Sequence, residues 1–420
     1  MPRKLTLGLA LEGAGWHPSA WREPSARPDE LFTPGYWVER VRDAEAAGAD
    51  YVTIEDSLAL QGASAHVSEA RTDEVRGRLD ALLIAARVAP ATERIGLVPT
   101  VTTTHTEPFH VSKGIATLDF VSDGRAGWQP KLSINAAEAA NFGRREWPEL
   151  VFDRDDPALR AFVAELFDEA DDAVEVVRRL WDSWEDDAEI RDVATDRFLD
   201  ADKLHTIDFE GRFFSVRGPS ITPRSPQGQP VVAVLAHQQR PYEFAASQAD
   251  VVFTTPLDAD SGTQVLRDVA AAAERVGRGE RAGTPGAAGE ALHVVADLVV
   301  LLDAAGASGA DRLARLDSRG RALTSDARVV TGSAARVADE IAALAEAGYD
   351  GVRLRPGVLT DDVPAIGETL VPELRRRGLV PETPAGGSLR ARFGLATDVP
   401  SRYARETAGA ATTPTASTNA

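Results

Sequence analysis

The chain contains no cysteine and a single methionine. Without cysteine there are no disulfides, no thiolate zinc, no iron–sulfur cluster and no thiol nucleophile. The same absence fits a reducing compartment. No run of about 18 apolar residues occurs, the length a membrane helix needs, so no membrane association is expected and a cytoplasmic location is the default. Basic residues are also scarce. There are 46 Lys and Arg against 65 Asp and Glu, a net charge of −19, and a nucleic-acid partner is excluded because phosphates need a basic footprint. The common signatures are missing as well: no HExxH, no Walker loop, no G-x-S-x-G. The GRGERAG run around Gly277 and Gly279 follows a helix instead of opening one, so it reads as a loop. The seven histidines (His17, His66, His105, His110, His205, His237 and His293) form no i,i+4 pair on one helix face, and no metal site is expected.

What is present is a core. Hydrophobic residues make up 43% of 420 residues, enough for a large globular fold. Eight short apolar runs read as strands: Leu5–Leu11, Tyr51–Ile54, Ile95–Val98, Ala126–Trp128, Val231–Leu235, Val251–Phe253, Val294–Leu302 and Gly351–Leu354. Leu5–Leu11 is interrupted by Thr6 and Gly8 and followed by Glu12, so it fits a buried strand better than a signal segment. Between the runs lie helical stretches: Tyr36–Ala47, Leu79–Arg87, Val111–Asp119, Val163–Trp184, Pro241–Gln248, Gly262–Val276, Ala310–Arg319 and Ala334–Ala347. Gly48 and Gly348 suit left-handed helix caps, and Ser333 an N-cap. Eight alternating units predict an α/β fold, a (β/α)8 TIM barrel with insertions, although an open doubly wound sheet shares the alternation. Ser57–Gly77 reads as a polar connection, Gly277–Gly289 as a flexible loop and Thr407–Ala420 as a disordered tail. Trp184–Gln229 is a long insertion in a domain spanning residues 1–406. Its Phe209–Val216 part predicts a small hairpin.

In a barrel, the residues just past the strands' C-terminal ends share one mouth. They are Glu12–His17, Glu55-Asp56-Ser57, Thr100–His105, Gln129 with Lys131 and Ser133, His237–Arg240, and Thr254-Thr255. Such a mouth is rich in hydroxyls, amides and histidines, with Trp16, Trp128 and Phe142 beside it. That composition suits polyol and heterocycle edges. Plainer readings stand beside these: Glu55-Asp56 capping a loop, Trp128 packing in the core, Arg125 serving a turn.

The stretch ERIGLVPTVTTTHTEPFHVSKGIATLDFVSDGRAGWQ resembles the flavin-dependent monooxygenases of the bacterial-luciferase-like superfamily, in particular the nitrilotriacetate, dibenzothiophene-sulfone and long-chain alkane monooxygenase branch. The likeness continues through Ala139–Arg144, Val177–Asp186, Phe209–Pro219, Ser225–Pro230, Phe244–Phe253, Val371–Leu379 and Gly387–Leu395. It implies a (β/α)8 barrel and a two-component monooxygenase. Such an enzyme takes reduced FMN from a separate flavin reductase and, with O2, oxygenates a small organic substrate through a peroxyflavin. It further implies Asp56, Thr100, Thr102 and Gln129 as cofactor-binding, with His237, Gln238 and Arg240 toward the phosphate. His17 and His105 become the proton-handling residues, Trp16, Trp128 and Phe142 line the pocket, and Trp184–Gln229 becomes a lid. A homodimer or homotetramer is the implied assembly. The chain departs from the family where Gln129 replaces an asparagine, where Val163 and Phe167 replace a His-x-x-x-Tyr pair, and where Gln238 replaces a serine. These departures leave two alternatives: a reduced deazaflavin as hydride carrier, or a non-catalytic flavin-binding relative.

Overall fold

The computed structural model describes residues 4–62, 71–149, 153, 155–279, 291–304, 306–384 and 386–404. Eight parallel strands form its centre: β1 Thr6–Leu11, β2 Tyr51–Ile54, β3 Gly96–Thr102, β4 Gly127–Lys131, β5 Val231–Leu235, β6 Val251–Thr254, β7 His293–Leu302 and β8 Gly351–Pro356. Each pairs with the next, and β8 returns to β1 with Thr6 opposite Gly351, so the sheet closes. The barrel reading therefore holds and the open sheet does not. All eight expected helices form, from Pro34–Ala46 to Ala334–Ala347. Ser333 caps its helix by accepting from the Arg336 amide, and Gly48 and Gly348 take left-handed φ values of 92° and 113°. Among the described residues, no helix is long and apolar enough to cross a membrane.

Four strands outrun their sequence limits, β3 and β4 by more than β6 and β8. The ladder between β3 and β4 continues through Thr100 opposite Gln129 and Thr102 opposite Lys131. These polar residues are thus strand residues facing into the barrel, not residues beyond its rim. A ninth strand, Arg328–Gly332, lies outside the barrel against Leu298–Leu302 of β7. It is short and half-buried, too weak a pattern to read from sequence. Three strands also share an entry device. Asp50, Asp250 and Asp350 each precede a strand, and each accepts the backbone amide of a neighbouring strand, Leu7, Val232 and Val294 respectively.

The barrel interior has two layers. Its N-terminal half is apolar: Tyr51, Val98, Val231, Phe253 and Val295, closed from below by Leu389 and Phe393. The Phe393 ring sits 5.0 Å from Tyr51 and 5.0 Å from His293. Glycine at position 96 makes this plug fit, because a Cβ there would lie 2.4 Å from Leu389 Cδ1. Above this plug lies a charged layer. Arg353 is fully buried, 3.8 Å over the Phe253 ring, and donates to Asp297 through Nε (2.8 Å) and Nη2 (2.5 Å). Arg355 donates through Nε to the same carboxylate at 2.9 Å and through Nη1 to Asp326 at 2.6 Å. Arg353 also holds Thr53 at 3.2 Å and Gln129 Oε1 at 2.8 Å, and Gln129 in turn donates to Thr100 at 3.0 Å.

The insertion Trp184–Gln229 lies at the opposite end from the mouth. It follows the descending helix Pro157–Asp182 and leads into β5, so it belongs to the N-terminal face. Its Gln227 side chain bonds to Asp119 and to the Ala126 carbonyl just below β4. The lid reading is corrected on that ground: a lid over the mouth must follow a strand. The predicted hairpin is present as Phe209–Glu210 paired with Ser215–Val216. It packs with Ile207 on Val176 and Leu180 of the long helix. Arg125 serves turn and loop carbonyls, those of Ser122, Ile95 and Ala89. The tail Thr407–Ala420, most of Gly277–Gly289, part of Ser57–Gly77 and His66 lie outside the described residues.

Two outcomes follow from the layered interior. Phe393→Ala removes the plug and is expected to cost about 3–5 kcal/mol in denaturant unfolding. Asp297→Asn leaves two buried guanidiniums without their shared carboxylate. It is expected to cost about 3–5 kcal/mol, measured the same way; an unchanged midpoint would contradict the charged layer as described.

Candidate active site at the barrel mouth

A cavity of about 340 Å³ opens at the C-terminal end of the barrel. Its walls are the segment after β1, the connection after β2, the end of β4 with the residues that follow, and Arg321. The β1 segment can lie this close because of Gly15. Gly15 has φ +145°, and a Cβ on it would fall 2.2 Å from the Gly357 carbonyl oxygen. The Trp16 and His17 amides then donate to the Pro356 and Gly357 carbonyls at 3.0 and 3.1 Å. The loop is thereby stitched to the end of β8.

Trp16 and His17, two of the predicted residues, line this cavity. The Trp16 indole is fixed by Nε1 donating to the Ala10 carbonyl at 2.8 Å and by the Arg355 guanidinium 4.6 Å from its ring centre. His17 accepts the Ser19 amide at Nδ1, 3.0 Å, so its proton is on Nε2, which donates to Asp317 at 3.0 Å. Burial lowers its pKa, with Asp317 pulling the other way. His17 is thus a neutral ring with both nitrogens engaged.

The sequence places Glu12 at the mouth without giving it a role. Glu12 faces the cavity, where Arg78 donates to it at 3.1 Å. Burial pushes the Glu12 carboxyl up, against the pull of Arg78 and Lys131. Lys131 and Ser133 also line the cavity. Lys131 stands two residues beyond Gln129 on β4, so it shares the inward face one step nearer the mouth. The sequence already puts Lys131 at the mouth, and this spacing is what assigns it to the inward face.

The remaining predicted residues separate into three groups. Thr100, Thr102 and Gln129 are buried in the barrel just below the mouth. Asp56 stands at the rim, with both carboxylate oxygens given to backbone amides, Ser57 at 2.7 Å and Ala81 at 2.9 Å. Burial raises its pKa and those amides oppose the rise. Asp56 therefore does the loop-capping work of the plainer reading, and its carbonyl receives the Lys131 ammonium at 2.7 Å. Trp128 is fully buried, donating Nε1 to the Val101 carbonyl at 3.2 Å, and has no surface on the cavity. Its place in the pocket is corrected to core packing.

His105 and Phe142 form a separate aromatic group. Their rings stack at 5.3 Å, with Trp147 at 5.1 Å from His105. His105 takes a left-handed φ of 72°, its Nε2 is buried without a hydrogen-bond partner, and burial lowers its pKa, helped by Arg145. Neither His105 nor Phe142 lines the cavity described above.

At the end of β5, His237 and Gln238 are exposed. His237 meets Thr255 Oγ1 at 2.9 Å and lies 3.5 Å from Asp326. Arg240 gives Nη2 to Asp168 at 2.9 Å and to Asp171 at 2.6 Å. Burial pulls its pKa down, but the two carboxylates more than offset this and hold it above the usual value. Arg240, the cation expected at the phosphate end, thus already carries two carboxylates, and burial lowers the pKa of His237.

A family model described as luciferase-like monooxygenase matches residues 14–297. The chain is 34% identical over 276 residues to N-acetyl-S-(2-succino)cysteine monooxygenase of Bacillus subtilis (strain 168), a match covering 66% of this chain and 58% of that protein. It is 35% identical over 281 residues to nitrilotriacetate monooxygenase component A of Aminobacter aminovorans, covering 66% of this chain and 59% of that protein. The matches therefore span under two thirds of each relative's length. Among solved structures, a riboflavin lyase with modified FMN and the substrate riboflavin superimposes with a TM-score of 0.75 at 25% identity, covering 94% of this chain and 96% of that one. Barrel, mouth and matched residues agree, and the chain belongs to the luciferase-like monooxygenase family.

Proposed function

We propose that this chain is a flavin-dependent monooxygenase. It would take reduced FMN from a separate reductase and, with O2, oxygenate a small organic molecule in the cavity beside Trp16. The observation that carries this reading is the cavity itself: about 340 Å³ at the C-terminal mouth of a luciferase-like barrel. That volume falls in the range of small-molecule and cofactor sites. Two features of the relatives support it. One is named as component A, which fits a second protein component, and a solved neighbour holds a modified FMN.

The residues fit the ring portion of a flavin. Trp16 offers a fixed aromatic face and Ser57 a polar edge. Thr102 and Gln129 lie below, on the inward faces of β3 and β4. The phosphate end fits less simply, since His237 and Arg240 are paired. Both Arg240 bonds use Nη2, so its Nη1 and Nε, with the exposed Gln238 amide, are the donors left for an anion.

Reduced FMN, when bound, supplies the oxygen activation. This chain's part is positioning, water exclusion and proton control. Trp16 and the loop stitched to β8 wall off solvent. His17 has no spare nitrogen and is held neutral, so it shapes the wall without moving protons. The group at the wall that can exchange a proton is Glu12, a carboxylate paired with Arg78 whose pKa burial raises.

Mixing the protein with reduced FMN and O2 in stopped flow should delay flavin reoxidation and show an absorbance distinct from free reduced or oxidised flavin. Reoxidation at the free-flavin rate, with no FMN affinity, would overturn the reading. Glu12 supplies a second outcome. A raised acid keeps its proton to higher pH, so turnover that needs that proton declines as pH rises through the raised pKa. Glu12→Gln should lose this limb of the kcat profile while still binding FMN. A profile identical to wild type would remove Glu12 from the proton path.

A further inference from the structure

We infer that the cavity seats a carboxylate of the substrate on Lys131. The inference rests on the proposed reading of this cavity as the oxygenation site, and it names the substrate class. The argument starts from the cations at the mouth. Arg78 pairs with Glu12 at 3.1 Å and Arg321 with Glu74 at 2.6 Å. Arg240 carries Asp168 and Asp171, His237 lies beside Asp326, and Arg353 and Arg355 share Asp297. Among the described residues, Lys131 is the cation lining this cavity that has no carboxylate within ion-pair distance.

Its geometry holds it ready for one. The Lys131 ammonium gives one N–H to the Asp56 carbonyl at 2.7 Å, which leaves two of its three donors. The Asp56 carboxylate cannot turn to it without giving up the Ser57 and Ala81 amides. Ser133, on the same wall, accepts the Asn135 amide at 3.2 Å and keeps its own O–H to donate. Two ammonium protons and a hydroxyl proton are therefore available on the cavity wall at the end of β4. This set complements an anionic oxygen pair and gives a neutral ligand no charge to answer the ammonium. The partner of this ammonium is a neutral carbonyl, so a carboxylate adds a charge-assisted hydrogen bond that an uncharged substrate cannot. The lysine therefore selects for acids.

Calorimetric titration of the flavin-free full chain with succinate and with its neutral counterpart succinamide tests this. Wild type should bind succinate at least about tenfold tighter than succinamide. Lys131→Met should abolish that preference without weakening succinamide, and Lys131→Arg should retain it. Equal affinities in wild type, or a preference that survives Lys131→Met, would overturn the site. FMN and riboflavin form the second arm. If Lys131→Met erases a preference for FMN over riboflavin and leaves succinate binding intact, the ammonium serves the cofactor's phosphate and the substrate assignment fails. A chain that keeps the succinate preference yet never slows flavin reoxidation retains the carboxylate site and loses the oxygenase reading, so the two failures are separable.

Discussion

One carboxylate, Asp297, holds the upper half of this barrel in order. It is fully buried and shared by two buried guanidiniums. Without it Arg353 would lose its bidentate carboxylate and Arg355 would keep only Asp326, and breaking a buried pair costs several kcal/mol. From this point two chains of contacts run to the mouth. Arg353 reaches Gln129, and Gln129 reaches Thr100. Arg355 reaches the Trp16 ring on one side and Asp326, beside His237, on the other. The orientation of residues on β3, β4 and both rim loops thus depends on a single acid of β7. A buried ionic layer is a poor source of net stability, but its bonds are directional. Here it fixes geometry where geometry matters.

The barrel divides labour along its axis. The N-terminal half is closed by apolar packing, with Leu389 and Phe393 brought up from the far end of the chain. The insertion Trp184–Gln229 reinforces that end. The C-terminal half carries few apolar contacts at its centre and gives its interior to charge and hydrogen bonds. Stability concentrated below leaves the mouth free to keep polar groups that packing alone would exclude, such as the Lys131 ammonium and the Glu12 carboxyl.

The sequence made the architecture legible because strands buried on both faces are continuous apolar runs, and eight of them stood clear. It was less informative about where those strands stop. Thr100, Thr102, Gln129 and Lys131 are polar, so the apolar pattern ended before them while the hydrogen-bond ladder did not. The arginines of GVRLRP were hidden for a related reason. Arg353 lay inside the expected strand and Arg355 just beyond its end, and only the i,i+2 spacing shows that both enter the barrel. Asp297 was masked inside an apolar run. Trp184–Gln229 was misplaced by overlooking that it follows a helix, which fixes it to the N-terminal face. Partners such as Asp317 for His17, and Asp168 and Asp171 for Arg240, are distant in sequence, and pattern reading carries no information on such pairs.

Those pairings change how the charges at the mouth divide the work. A cation counted from sequence appears available, but a cation already facing a carboxylate is nearly neutral to an incoming anion. Arg240 is offset in this way, and so are Arg78 and Arg321. The net charge of −19 makes such offsetting the rule across the surface, so an exception carries information. Lys131 is that exception on the cavity wall, held by a carbonyl dipole and not by a full charge. Glu12 is its counterpart among the acids, a carboxyl whose burial raises its pKa even with Arg78 and Lys131 nearby. One group is poised to meet an anion and the other to exchange a proton, and both face the same 340 Å³. Chemistry at this mouth is therefore set less by its histidines than by a lysine and a glutamate at the ends of β4 and β1.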